Sequence, residues 1–133
     1  MEGEKRKILI VDDDSFLLDM YALKFSQNNF EVYTASNGLQ VLEKLKAGLK
    51  PDVILMDIIM PEMDGFEMLA KMNAEKLATD SVKIILSNKS QQSDVEQGTS
   101  LGVSGYIVKA SSTPTEVIEQ VVKILEKKKE IKN

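Results

Sequence analysis

Pro51-Asp52-Val53-Ile54-Leu55-Met56-Asp57 is the stretch on which the fold turns. Val53–Met56 is apolar without a break and too short for a helix, which describes a strand buried on both faces. It stops abruptly at an aspartate. Taken as Asp52–Met56, it belongs to a set of five short runs rich in β-branched residues, the others being Lys7–Val11 (KILIV), Phe30–Ala35, Val82–Leu86 (VKIIL) and Gly105–Val108, and three of the five are nearly continuous apolar runs. Between these runs lie segments long enough for helices and periodic at 3.6 residues. Leu17, Tyr21 and Phe25 make one stripe; Leu42, Leu45 and Leu49 make another. Val117, Val121 and Ile124, paired with Ile118, Val122 and Leu125, make a broad third. Such stripes are ordinary core faces.

Capping signals mark the helix ends. Thr113-Pro114-Thr115-Glu116 is a capping box with proline at the first helical position. Asp64-Gly65-Phe66-Glu67 has the same form, and Gly48 and Gly102 stand where helices should stop. Strands alternating with helices give a parallel sheet covered on both faces, and right-handed crossovers leave few topologies. The expected fold is α/β, a flavodoxin-like doubly wound sheet of five parallel strands in the order 2-1-3-4-5, with five helices. In that order the ligand crevice opens at the carboxyl ends of the strands, beside strands 1 and 3.

Composition narrows the chemistry. The 133 residues are the size of one domain, and 43% hydrophobic with 29% charged residues is ordinary for a globular chain. No apolar run approaches the ~20 residues of a spanning helix, and Met1 to Lys7 holds no signal-peptide core, so no membrane association is expected. There is no cysteine, hence no disulfide, thiol nucleophile or zinc–thiolate site, which fits a cytoplasmic protein. There is no histidine, hence no Ser-His-Asp triad or imidazole ligand. The net charge is −4, and four of the lysines fall in the last eight residues, leaving residues 1–125 at −6. An acidic body of this kind repels nucleic acid, and no binding to it is expected. The lysine cluster reads as a solvated last turn favoured by the helix dipole.

The expected carboxyl ends are all polar. Asp12-Asp13-Asp14 follows the first strand, Asp57 the third, Ser87 the fourth and Lys109 the fifth. Singly, each has a plain explanation as a cap, a turn residue or an exposed cation. Together they put acidic side chains in one crevice, where they repel one another unless a cation neutralises them. An oxygen-only site of one to three carboxylates suits Mg²⁺, which keeps positions open for phosphate oxygens. A hydroxyl and an ammonium add donors for a phosphoryl group, whose transfer needs positioning and charge neutralisation above all. One carboxylate would serve as nucleophile and form an acyl phosphate.

The chain resembles the receiver domain of two-component response regulators. The resemblance rests on Ile8-Leu9-Ile10-Val11-Asp12-Asp13-Asp14 and on Pro51 to Asp57 running into Ile58-Ile59-Met60-Pro61-Glu62-Met63-Asp64-Gly65. Ile84-Ile85-Leu86-Ser87 and Gly105-Tyr106-Ile107-Val108-Lys109 complete it. It spans residues 5–127 as one receiver domain and leaves 128–133 as a lysine-rich C-terminal tail.

This resemblance implies that Asp57 is the phosphoacceptor. It implies that Asp12, Asp13, Asp57 and the backbone carbonyl of Ile59 hold Mg²⁺, and that Ser87 and Lys109 grip phosphoryl oxygens. Tyr106 would be the aromatic that follows Ser87, and Asp14 a helix cap. The implied partners are a sensor histidine kinase or histidine phosphotransfer protein, and a downstream target or second copy on the face of the fourth helix, fifth strand and fifth helix. The chain would be a switch, not an enzyme with a separate substrate.

Two positions depart from the family pattern. Ala110 follows Lys109 where the pattern has proline, usually after a cis bond; a cis non-proline bond costs ~3 kcal/mol, so the bond is either trans or held under strain. Asn88 follows Ser87 where the pattern favours a very small residue. Ile59 and Lys89 occupy the positions that flank an attacking water, so slow loss of the phosphoryl group is expected. Rival readings fare worse. A haloacid-dehalogenase-type phosphatase would want an aspartate where Ile59 stands. A flavodoxin would want a hydroxyl-rich loop after strand 1, and a P-loop enzyme a G-x-x-x-x-G-K that is absent. A receiver with a dead site would lack the acceptor, the acid pair or the lysine.

Overall fold

The computed structural model describes residues 5–89 and 91–132. In chain order the elements are β1 (Arg6–Val11), α1 (Ser15–Gln27), β2 (Phe30–Ala35), α2 (Gly38–Lys46), β3 (Val53–Met56), α3 (Gly65–Ala74), β4 (Val82–Ser87), α4 (Gln92–Ser100), β5 (Gly105–Val108) and α5 (Pro114–Lys132). A 3₁₀ turn, Lys109–Ser111, joins β5 to α5. The five strands form one parallel sheet in the order β2-β1-β3-β4-β5, the topology expected from the sequence.

Alternation along the central strands splits the core into two layers. Ile8, Ile10, Val53, Leu55, Ile84 and Leu86 face α1 and α5. Leu9, Val11, Ile54, Met56 and Ile85 face α2 and α3. In α1 the buried stripe is Leu18, Tyr21 and Phe25, so Tyr21 and Phe25 face the core as expected while Leu18 is buried and Leu17 only partly so. Leu42 and Leu45 are buried in α2, while Leu49 lies beyond the helix end and packs at its edge. Both capping boxes form: Asp64 with Glu67, and Thr113 with Glu116. Gly48 and Gly102 end their helices at φ +110° and +92°, left-handed conformations that cost a side chain about 1 kcal/mol or more. α5 runs on through Lys127, so the lysine-rich residues as far as Lys132 continue the helix. Among the described residues no helix is long and apolar enough to cross a membrane.

Lys83 breaks the pattern inside β4. It shares the α3-side face with Ile85 and is only 8% exposed, and its Nζ donates to the Ala78 carbonyl at 2.5 Å. That carbonyl also accepts the Ser81 N–H at 3.1 Å, so it keeps a partner without the lysine. Burial pushes the Lys83 ammonium down from the ordinary lysine range, partly offset by Asp80. The folded chain therefore binds fewer protons than the unfolded chain in the alkaline range, and stability should rise as pH climbs through it. Lys83→Met is expected to stabilise the protein at pH 7 by about 1 kcal/mol and to flatten the alkaline rise. Urea unfolding at pH 7 and pH 10 checks both; a less stable variant would show that the amine bond outweighs its desolvation.

Candidate functional site

The strand order brings the polar residues after β1, β3, β4 and β5 to one edge of the sheet. Asp12 follows β1, and its N–H still bonds the Ala35 carbonyl at 3.2 Å, extending the β1–β2 ladder. Asp57 follows β3 and extends the β1–β3 ladder in the same way, its N–H meeting the Val11 carbonyl at 3.0 Å. The two aspartates are thus placed by backbone pairing. Asp12 is 3% exposed, Asp57 8% and Ser87 0%, whereas Asp13 is open to solvent. Asp14 caps α1, its side chain accepting the N–H groups of Phe16 and Leu17 at 3.0 and 3.1 Å.

Lys109 joins the two buried carboxylates. Its Nζ lies 2.7 Å from Asp12 Oδ2 and 2.7 Å from Asp57 Oδ2. The remaining oxygens meet backbone donors: Asp12 Oδ1 accepts the Asp14 N–H at 2.9 Å. Asp57 Oδ1 accepts those of Ile58 and Ile59 at 2.7 and 3.2 Å. These amide contacts carry no side-chain signature, so sequence reading gave no sign of them. Burial pushes Asp12 above the ordinary carboxylate range, with the Lys109 bond and the Asp14 N–H pulling the other way. Burial alone would lower Lys109, but the bonds to Asp12 and Asp57 outweigh it and hold its ammonium above the usual lysine value.

One oxygen each of Asp12, Asp13 and Asp57 lies within 4.8 Å of the others. Three carboxylates against one ammonium leave a local charge of about −2, and the donors are hard oxygens alone, which fits a divalent ion of the Mg²⁺ type. Ile59 lies two residues past Asp57 and is 59% exposed.

Ser87 ends β4, and its Oγ accepts the Lys89 N–H at 3.3 Å. The Lys89 carbonyl accepts the Tyr106 hydroxyl, so one backbone unit bridges Ser87 to the aromatic of β5. Lys89, read from the sequence as flanking an attacking water, has its ammonium paired with Asp94 of α4 at 3.6 Å. The Lys109–Ala110 bond is trans, there being no cis peptide among the described residues. Lys109 reaches both carboxylates all the same.

The family model for the response regulator receiver domain matches residues 8–123. The chain belongs to this family. Its receiver fold also aligns with the CheY-like receiver domain protein of Methanospirillum hungatei, at a TM-score of 0.85 and 25% identity over 96% of this chain and 98% of that one. The receiver is 40% identical over 105 residues to the chemotaxis protein CheY of Listeria monocytogenes, covering 77% of this chain and 85% of that protein. It is 32% identical over 120 residues to the transcriptional regulatory protein PhoP of Bacillus subtilis, covering 90% of this chain but 48% of PhoP. The chain thus spans about half of that regulator and most of the CheY. Receivers of this family bind Mg²⁺ at an acidic pocket, and the structure gathers Asp12, Asp13 and Asp57 into an acidic cluster.

Proposed function

We propose that this receiver takes a phosphoryl group onto Asp57, with Mg²⁺, from the phosphohistidine of a sensor kinase or phosphotransfer protein in the cytoplasm, and acts as a switch. The observation that carries the proposal is Lys109 held between Asp12 and Asp57 at 2.7 Å from each. An ammonium so placed is ready to meet the phosphoryl oxygens that arrive at Asp57.

In the transfer, a carboxylate oxygen of Asp57 forms the new P–O bond as the P–N bond to the donor imidazole breaks, and the imidazole, already protonated at its other ring nitrogen, keeps the P–N electron pair and leaves as the neutral base. Mg²⁺, when bound, neutralises the carboxylates and the phosphoryl oxygens. Lys109 exchanges part of its contact with Asp57 for a phosphoryl oxygen, and Ser87 turns its hydroxyl toward another. Because the Lys89 N–H rests on Ser87 Oγ and the Lys89 carbonyl holds Tyr106, movement of Ser87 carries to β5. The face of α4, β5 and α5 then changes its preference for a target or a second copy, by a few kcal/mol at most.

Intact mass after treatment with phosphoramidate tests the reading. A gain of about 80 Da for one phosphoryl group is expected with Mg²⁺ and none in excess chelator. Labelling that persists in chelator contradicts the acidic pocket's role. Amide-shift mapping with beryllofluoride and Mg²⁺ should reach Tyr106 and α5; changes confined to the neighbours of Asp57 contradict the switch.

Loss of the phosphoryl group should be slow. A water in line with the breaking bond has to pass Ile59, an exposed apolar side chain that offers it no hydrogen bond. Lys89 is drawn to Asp94, away from the water's path. Ile59→Asn is expected to speed first-order decay of the phosphorylated protein roughly tenfold, ~1.4 kcal/mol of barrier. Decay no faster than the parent's would refute the shielding.

A further inference from the structure

Ser87 stands opposite Val108 in the β4–β5 register, so Asn88 falls opposite Lys109 as the strands end. The residues that directly follow the two phosphoryl-gripping side chains, Asn88 and Ala110, are bonded to each other. The Ala110 N–H donates to Asn88 Oδ1 at 2.8 Å. This side-chain bond carries the ladder past its last strand pair. It requires a residue other than proline at position 110, since proline has no N–H to give. It also requires an acceptor at position 88 that a small apolar side chain lacks. Asn88 and Ala110, the two departures from the family pattern, therefore account for one another.

The bond sits where small displacements matter. On one side, the chain runs from Asn88 into Lys89, whose N–H rests on Ser87 Oγ at 3.3 Å. On the other, the Lys109 backbone enters a 3₁₀ turn closed by the Ser112 N–H on the Lys109 carbonyl at 3.3 Å. From that backbone a flexible four-carbon side chain must place Nζ 2.7 Å from each of two carboxylates. A fixed backbone narrows the positions that Nζ can take, and misplacement of a reacting group by about 1 Å is costly in a transfer that depends on positioning.

We infer that Asn88 is a positioning residue that ties the hydroxyl arm of the site to its ammonium arm through the Ala110 N–H. The inference rests on the proposed reading that Ser87 and Lys109 hold the phosphoryl group. Asn88 need touch neither the metal nor the phosphoryl group. It makes the loops after β4 and β5 move as one unit.

Two substitutions separate the bond from the bulk of the side chain: Asn88→Leu keeps the volume and loses the acceptor, and Asn88→Ala loses both. The phosphorylation rate with phosphoramidate at saturating Mg²⁺ is measured first for the parent, whose failure to label would refute the reading of the site and not this inference. Both variants are expected to be phosphorylated roughly tenfold more slowly. In both, the Ala110 amide should lose its protection from exchange, while the Mg²⁺ midpoint and the urea midpoint stay where they are in the parent. A purely structural role would move the urea midpoint with the rate and overturns the inference. Parent-like phosphorylation of Asn88→Leu also overturns it. So do opposite effects of the two substitutions, which would make entrance bulk the controlling feature.

Discussion

Asp57→Asn should take up no phosphoryl group from any donor, at any Mg²⁺ concentration, while remaining folded. The amide that replaces the carboxylate is no nucleophile at neutral pH, so the acyl phosphate has nothing to form on. The fold survives because little else depends on the lost charge. An asparagine oxygen still accepts the Ile58 and Ile59 N–H groups that hold Oδ1 in the parent. Lys109 keeps Asp12 as a buried partner. Mutual repulsion within the cluster of Asp12, Asp13 and position 57 falls, which offsets part of the ion pair given up. Mg²⁺ affinity should fall as well, since one of three carboxylates has gone. Intact mass is the measurement, with circular dichroism as the control for folding. Unchanged labelling of Asp57→Asn would move the acceptor elsewhere.

Gly65→Ala is expected to destabilise the protein by about 3 kcal/mol and to slow its phosphorylation with it. A Cβ on Gly65 would come 2.6 Å from the Asp57 carbonyl oxygen and 2.9 Å from the Ile58 Cα. Both are backbone atoms of the turn that carries Asp57, and the Gly65 N–H donates to the Ile58 carbonyl at 2.8 Å across the same contact. The first turn of α3 therefore rests directly on the backbone beneath Asp57. Neither side can withdraw without moving the Ile58 and Ile59 amides from Asp57 Oδ1. Gly48→Ala makes the comparison, since nothing lies within 4 Å of a Cβ there and φ is +110°. It should cost about 1 kcal/mol, from backbone conformation alone, and leave phosphorylation unchanged. Urea unfolding of the two variants, with their labelling rates, separates close approach from backbone strain. Equal losses in both would show that α3 can draw back from the acceptor turn.

What was legible in the sequence was what short-range patterning encodes. Val53–Met56 reads as a strand buried on both faces because every one of its side chains is apolar, and all four are buried. The capping boxes at Asp64 and Thr113 read correctly because a cap and its partner lie three residues apart. The strand order is one of the few that the βα alternation and right-handed crossovers allow, and with it comes the meeting of Asp12, Asp57 and Lys109 at one sheet edge. α4 is different: its nine residues bury only Asp94 and Gly98, so no apolar stripe announces it. It packs through the absence of a side chain, as a Cβ on Gly98 would meet Ile85 Cδ1 at 3.0 Å.

The architecture, the family and the polar residues at the strand ends are thus encoded locally, in motifs and spacings of a few residues. Which atoms of those residues meet depends on the assembled sheet and helices. The Asn88–Ala110 bond, the seat of Gly65 on the acceptor turn, the pairing of Lys89 with Asp94 and the burial of Lys83 join residues set side by side by strand register and helix packing. A side chain's type states what it is able to bond. Which partner comes within 3 Å depends on backbone positions built from the whole sheet, and a one-residue slip in that register would exchange every partner.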